Sequence, residues 1–156
     1  TFQGKFGWWY EQFNPDNVQV YNNRRDIIRS PRYWLINYYP EPDGSKWLAH
    51  HADTSITKNG MTAGRTFRAV HTWMVPVHGT VQITGTPRAS AGKDQVRVQI
   101  LYNPAGTCLP KDDTVLWDWQ TLKDGSAKHS VTAKVKQGGV IRFITDRGTV
   151  RWDPEI

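Results

Sequence analysis

The sequence predicts an all-β fold, an antiparallel β-sandwich of the jelly-roll type. Segments in which apolar and polar residues alternate recur along the whole chain, and clusters of Pro, Gly, Asn and Asp separate them. No segment has the spacing of an amphipathic helix three turns long. Many short strands without intervening helices are typical of two packed antiparallel sheets.

Eight segments have the alternating pattern, and the clearest begins at Asp94. Its apolar positions start at Val96, whereas Arg97 and Gln99 between them are polar. The apolar side is therefore predicted to enter the core and the polar side to line the outer face of a sheet, which would form a groove for an extended polymer if the sheet is concave. The predicted strands are Gly7–Phe13, Tyr33–Tyr39, Arg65–Val75, Gly79–Thr86, Asp94–Tyr102, Thr114–Leu122, His129–Val135 and Val140–Thr145.

The chain of 156 residues is predicted to form a single domain, residues 1–156. A domain of about 150 residues buries roughly 70 % of the surface of its unfolded chain, so a core forms without disulfides or metals. The single cysteine, Cys108, excludes an intrachain disulfide, and no Cys or His spacing fits a zinc site. The least regular stretch, Asn37–Thr62, is predicted to provide binding loops.

No apolar run is long enough to cross a bilayer, and Thr1–Gly7 lack the apolar region of a secretory signal. These features predict a soluble domain, either mature or excised from a longer chain, without a membrane partner.

Aromatic and basic residues are both in excess and are interleaved along the sequence. The chain holds eight tryptophans and six tyrosines, and its formal net charge is +6. Aromatic faces stack on sugar rings or bases, and cations pair with carboxylate, sulfate or phosphate groups. The basic residues do not form blocks of five or six, which excludes a disordered basic arm. The pattern predicts a folded surface for an anionic polymer, either an acidic polysaccharide or a nucleic acid.

Three tryptophans are the best candidates for stacking on such a ligand. Trp9 follows Trp8 in a strand, so their side chains point to opposite faces, and Trp8 is the one expected in the core. By the same geometry Trp34 is expected to turn outward, because its neighbour Leu35 favours the core. Trp47 follows a Pro/Gly turn and is expected to lie on a loop.

Polar groups close to these tryptophans in sequence are expected to contact the same ligand. The planar guanidinium group matches the geometry of carboxylate and sulfate groups. No catalytic residue, metal ligand or cofactor is predicted, and a structural calcium ion is left open. The predicted ligand-binding residues are Trp9, Trp34, Trp47, Arg24, Arg25, Arg32 and His50.

The tryptophans in the later strands are interpreted mainly as core residues. Trp73 shares its face with Phe67 and Val75 and is predicted to pack inside. Trp117 and Trp119 are predicted to project to one side of their strand, with Trp119 in the core and the environment of Trp117 left open.

Two other functions remain as alternatives. The first is a small polysaccharide lyase, because β-elimination from uronates uses a Tyr or His base and an Arg that neutralises the carboxylate. No spacing singles out a set among the residues of these types, which include His50, His51, His71, Tyr38 and Arg32. The second is binding of single-stranded nucleic acid by a basic aromatic β surface, although no RNP-like motif occurs.

Several segments, taken in their order along the chain, resemble one known family. They are Gly7–Tyr10, Ala69–Pro76, Gly79–Gly85, Asp94–Leu101, Trp119–Leu122, His129–Val135, Gly138–Phe143 and Trp152–Ile156. Together they resemble the carbohydrate-binding modules appended to bacterial polysaccharide-degrading enzymes, except that the loop before Trp152 is shortened to Asp146–Arg151. The resemblance implies a secreted, non-catalytic β-sandwich that keeps an appended catalytic domain close to a polysaccharide. With the basic composition, it favours an acidic over a neutral polysaccharide.

Overall fold

The computed structural model describes residues 8–13, 36–37, 39–40, 46–48, 54–57, 59–65, 67–90, 95–106, 112–123 and 125–156. In the first four ranges the description covers the backbone and, among side chains, Trp8 alone. These residues form strands and no α-helix, which confirms the predicted all-β class. The strands are β1 (Trp8–Phe13), β2 (Ile36–Asn37), β3 (Tyr39–Pro40), β4 (Lys46–Leu48), β5 (Ser55–Thr57), β6 (Gly60–Ala63), β7 (Arg68–Met74), β8 (Gly79–Gly85), β9 (Arg88–Ala89), β10 (Val96–Asn103), β11 (Thr114–Leu122), β12 (His129–Val135), β13 (Val140–Asp146) and β14 (Gly148–Arg151).

Two six-stranded sheets and a two-stranded ribbon organise these strands, and the strand pairs are antiparallel. Sheet 1 has the order β11-β10-β13-β7-β1-β2, and sheet 2 has the order β3-β4-β5-β6-β14-β9. The ribbon pairs β8 with β12, and isolated bridges join Thr84 to Glu155 and Arg88 to Ser126. Among the described residues, no helix is long and apolar enough to cross a membrane.

A cluster of buried apolar side chains joins the sheets and the ribbon. Sheet 1 contributes Ile100 and Phe143, sheet 2 contributes Met61 and Val150, and the ribbon contributes Ile83. Buried side chains of both sheets and of the ribbon thus face a shared interior, which is consistent with the packing of a β-sandwich.

The predicted strands agree closely with the structure in the second half of the chain. Thr114–Leu122 and His129–Val135 are β11 and β12, and Val140–Thr145 is lengthened by one residue in β13. The prediction of a loop region over Asn37–Thr62 is wrong where the structure describes that stretch, because β4, β5 and most of β6 lie there. Strands of three or four residues are too short to show a period of two clearly.

The turn between β13 and β14 carries the chain from sheet 1 to sheet 2. Arg147 has φ of 61° and Gly148 has φ of 69°, so two successive residues of this connection adopt the left-handed region. Beyond the turn, β14 pairs with β6 and β9. The shortened loop expected at Asp146–Arg151 is therefore mostly a strand.

Candidate functional site

The candidate site lies on the outer face of sheet 1, defined as the side chains of β7, β10, β11 and β13 that point away from the core cluster. Val96 and Val98 belong to the core, so Arg97 between them lies on the outer face. Arg97 pairs with Asp146 across β10 and β13. Arg68 of β7 reaches Asp146 from the other side, with Nη2 3.6 Å from Oδ2. Three adjacent strands thus bring two arginines to one carboxylate.

Trp119 of β11 lies against both arginines. The guanidinium carbon of Arg97 is 4.6 Å from the centroid of the Trp119 ring, and that of Arg68 is 5.0 Å from it. Cation–π contacts of this length contribute about 0.5–1 kcal/mol at exposed sites. We call Arg68, Arg97, Trp119 and Asp146 the Arg–Trp cluster. Within this cluster two guanidinium groups share one carboxylate, and the Asp118 carboxylate is a second anion close to Trp119.

A β-bulge in β11 places Trp119 on this face. The pairing of β10 with β11 shifts register around Ile100, so that Asp118 and Trp119 both lie opposite Gln99. The Asp118 carboxylate accepts hydrogen bonds from the Trp119 backbone amide at 2.7 Å and from Gln99 Nε2 at 3.3 Å. These bonds hold the extra residue in place.

The bulge overturns the interpretation of the two tryptophans of β11. A regular strand would place Trp117 and Trp119 on one side, because they are two residues apart. Trp117 instead packs against the core, and Trp119 lies on the outer face against two cations. The predicted shared side and the predicted core position of Trp119 are both wrong.

The outer face is accessible at the Arg–Trp cluster and buried further along its strands. The Arg97 side chain is 41 % exposed, and Thr121, which pairs with Arg97, is also exposed. By contrast, Val70, Thr72 and Ile144 are buried on the same face. The face is therefore not an open groove across its middle, and it is open to solvent at the end that carries Arg97 and Trp119.

A buried polar group lies beyond that closed middle part. Arg142 Nη1 is 3.3 Å from Asp113 Oδ1, and Asn103 Nδ2 donates to the same oxygen at 2.9 Å. Asn103 Oδ1 in turn accepts a hydrogen bond from the Ala105 amide at 3.1 Å. Burial raises the pKa of the Asp113 carboxyl, and the Asn103 bond and the Arg142 charge oppose that shift. The group fixes the ends of the β10–β11 connection.

Trp117 joins an interior cluster with His129 and Trp152, both buried. Its ring centroid is 5.0 Å from that of His129 and 6.2 Å from that of Trp152. Trp152 Nε1–H donates to His129 Nε2 at 3.0 Å, so the ring proton is assigned to Nδ1, which faces the Ile83 carbonyl at 3.4 Å. Burial lowers the pKa of His129, and the Ile83 carbonyl partly opposes that shift. Gly85 leaves room for this ring, because a Cβ there would lie 2.7 Å from Nε2.

His71 also lies on the core side of sheet 1. Its ring centroid is 4.3 Å from that of Trp8, and its Nε2 atom is buried. Desolvation lowers the pKa of His71 to about 3, so the ring is neutral at neutral pH. The buried Nε2 is out of reach of a polymer at the surface. Trp8 packs against the core cluster, with its ring 5.9 Å from Phe143, which confirms its predicted core position.

The structure describes the backbone of two of the predicted ligand-binding residues. Trp9 stands in β1 of sheet 1 and pairs with Thr72, whereas Trp47 stands in β4 of sheet 2 and pairs with Ile56. The two tryptophans therefore belong to different sheets. The other predicted residues lie outside the described ranges, and they are Trp34, Arg24, Arg25, Arg32 and His50.

Sequence reasoning found only part of the Arg–Trp cluster. The alternation of β10 placed Arg97 on an outer sheet face, which the structure confirms. Arg68 and Asp146 were not singled out, because they meet only through the pairing of strands that are far apart in sequence. Among the described residues, no group of three His, Cys, Asp or Glu side chains could hold a metal ion.

Comparisons with protein-family models, curated proteins and solved structures give no significant match. The resemblance to carbohydrate-binding modules therefore stays a prediction that rests on the sequence segments alone.

Proposed function

We propose that the chain is a non-catalytic polysaccharide-binding module, a β-sandwich of the jelly-roll type that prefers acidic glycans. Its role is to keep an appended, secreted catalytic domain at its substrate. The Arg–Trp cluster is the observation that carries this proposal, because it combines a partly exposed aromatic ring with cations on one sheet face.

The groups around Trp119 suit a sugar ring. A pyranose presents apolar C–H groups on its face and hydroxyl groups on its edge, so a binding site needs an aromatic surface flanked by hydrogen-bonding groups. Asp118 and Thr121 are exposed and flank Trp119 along β11. Their carboxylate and hydroxyl groups supply acceptors and a donor for the edge of the sugar.

The sheet also fixes the relative positions of these groups. Trp119 and Arg97 stand on adjacent hydrogen-bonded strands, and the bulge bonds of Asp118 hold the local backbone. A site built on paired strands loses little conformational entropy when a ligand binds. The net charge of +6 adds a general attraction for acidic polymers.

The residues predicted from the sequence stay within this proposal. Trp9 in sheet 1 and Trp47 in sheet 2 are proposed to contact the polymer at positions other than the Arg–Trp cluster. We propose that the remaining predicted residues contribute to the same binding, namely Trp34, Arg24, Arg25, Arg32 and His50.

Isothermal titration calorimetry with alginate, pectin, chondroitin, xylan and cellulose tests the proposed function. We expect the intact protein to bind at least one acidic polysaccharide, and Trp119→Ala to weaken that binding about tenfold or more, as loss of a central aromatic contact does. Val77→Ala is the matched control, because Val77 is 63 % exposed in the β7–β8 connection, and it should leave the affinity unchanged.

Other results would point to other functions. An unchanged affinity in Trp119→Ala would remove the Arg–Trp cluster from the binding site. Tighter binding to single-stranded oligonucleotides than to every polysaccharide would favour the nucleic-acid alternative. A rise in ultraviolet absorbance from unsaturated uronate products during incubation with alginate or pectin would favour the lyase alternative.

A further inference from the structure

We infer that Arg97 selects uronate rings, pairing its guanidinium group with the sugar carboxylate while the ring contacts Trp119. This inference rests on the proposed polysaccharide-binding function and adds the chemical class of the sugar and the residue that recognises it.

The hydrogen-bonding capacity of Arg97 is mostly unused. A guanidinium group has five N–H donors in a planar fork, and its strong contacts to carboxylates are about 2.7–2.9 Å long and often bidentate. The ion pair of Arg97 with Asp146 is instead a single contact of 3.5 Å, through Nη1 alone. Its side chain is also 41 % exposed. Arg97 can therefore offer a second edge of its fork to a carboxylate that arrives from solvent.

Asp146 keeps the free-energy cost low when Arg97 turns from it to a sugar carboxylate. Its Oδ2 atom lies 3.6 Å from Arg68 and 3.5 Å from Arg97, so the carboxylate keeps one arginine when the other turns to a ligand. The Asp146 side chain is 15 % exposed and lies between the two. A partly exposed ion pair contributes little to stability, so its loss costs little compared with what a bidentate pair contributes to binding.

Asp118 favours one charge per sugar ring over dense sulfation. Its carboxylate is exposed beside Trp119, where it can accept hydrogen bonds from hydroxyl groups. A polysulfated chain would bring further anions close to this carboxylate, and like charges at short distance reduce affinity. The arrangement therefore suits a ring with one carboxylate and free hydroxyl groups, which is a hexuronate.

The test uses polygalacturonate and the same polymer after chemical reduction of its carboxyl groups, each titrated calorimetrically at constant ionic strength. The variants are Arg97→Gln, Arg97→Lys and Arg151→Gln, and thermal melting confirms that each is folded. Arg151→Gln is the matched control, because Arg151 is exposed on β14 of sheet 2 and the change in charge is the same.

We expect Arg97→Gln to weaken binding of polygalacturonate about tenfold, and Arg151→Gln to weaken it less than about twofold. Arg97→Lys should remain several-fold weaker than the unmodified protein, because an ammonium group keeps the charge but lacks the fork. The carboxyl-reduced polymer should bind more weakly, and Arg97→Gln should not weaken it further.

Equal effects of Arg97→Gln and Arg151→Gln would overturn the inference, because they would reduce the role of Arg97 to net charge. The inference would also be overturned if the carboxyl-reduced polymer bound as tightly as polygalacturonate and Trp119→Ala weakened the binding of both. The proposed polysaccharide binding would then stand. Absence of binding to any polysaccharide would overturn the proposed function and this inference together.

Discussion

Trp117 and Trp119 stand two residues apart on one strand, yet they lie on opposite faces of sheet 1. Trp117 packs with the buried rings of His129 and Trp152, whereas Trp119 contacts two guanidinium groups at the accessible end of the outer face. The residue type is the same in both regions. The difference arises from one bulge and from the neighbours that strand pairing supplies.

The two regions also differ in what their contacts contribute to stability. In the interior cluster, the indole N–H of Trp152 donates to His129, and removing either ring would leave a cavity and a polar atom without its bond. The contacts of the Arg–Trp cluster are partly exposed ion pairs and cation–π contacts, each of about 1 kcal/mol or less. The interior cluster therefore contributes more to the stability of the fold than the Arg–Trp cluster does.

The largest expected effect is a loss of stability when a tryptophan of the interior cluster, rather than Trp119, is replaced. Trp152 is 2 % exposed, so Trp152→Ala should lower the free energy of unfolding by about 3–5 kcal/mol or prevent folding. Trp119→Ala should lower it by about 1 kcal/mol, since the ring is partly exposed. Urea unfolding of both variants measures the difference. Comparable losses would show that Trp119 is as much a core residue as Trp152.

The second-largest expected effect is a loss of stability at low pH, caused by the buried histidines. Burial lowers the pKa of His129 and of His71 below the ordinary histidine value of about 6.5, and that of His71 falls to about 3. A lowered folded-state pKa means that the unfolded chain binds more protons, so stability is complete above 6.5 and falls as the pH decreases below it. Each histidine should contribute a loss of up to about 1.4 kcal/mol per pH unit below 6.5. Urea unfolding between about pH 5 and about pH 7.5 measures this slope.

A variant isolates the contribution of His129 to that slope. His129→Gln keeps a hydrogen-bonding side chain without a titratable ring, so its stability should depend less steeply on pH, although it should be lower at pH 7. His78→Gln is the control, because it makes the same substitution at an exposed side chain. An unchanged slope in His129→Gln would show that His129 is not buried in its neutral form.

The sequence predicts the long strands well because each has enough residues to show a period of two. Thr114–Leu122 has the bounds predicted for it, yet the faces of its side chains were wrong after Trp117. A bulge leaves the strand bounds intact and changes the alternation within them, and no residue type marks it in advance. The three-residue strands β4 and β5 were missed for a different reason, since so few residues do not define a period.

The candidate site was less predictable than the fold because it depends on pairing between distant strands. Arg97 could be placed on an outer face from its own strand, by alternation alone. Its contact with Asp146 requires the register of β10 against β13, and that of Arg68 requires β7 beside β13. Local patterns contain none of this pairing information.

Removing the Asp146 carboxylate should raise the affinity of the Arg–Trp cluster for an acidic polymer. Asp146→Asn takes away the anion that competes for Arg97, so affinity for polygalacturonate should rise about threefold to tenfold at low ionic strength. Stability should fall by about 1 kcal/mol or less, because the ion pairs are partly exposed. Calorimetry measures the affinity, and Asp153→Asn is the control at an exposed aspartate after β14. A weaker affinity would instead show that Asp146 must orient Arg97 for binding.

The smallest expected effect lies in the turn that follows Asp146. Arg147 adopts φ of 61°, a conformation that Asn and Gly adopt at lower cost, so Arg147→Asn should relieve backbone strain at this position. The free energy of unfolding should rise by about 0.5–1 kcal/mol, whereas Arg147→Ala, which keeps the strain, should give no such gain. Strained residues are often retained where they serve function. Arg147→Asn should also bind polygalacturonate about twofold to threefold more weakly, since it removes an exposed cation that is adjacent in sequence to Asp146. A gain in stability with unchanged affinity would confine the role of Arg147 to the turn.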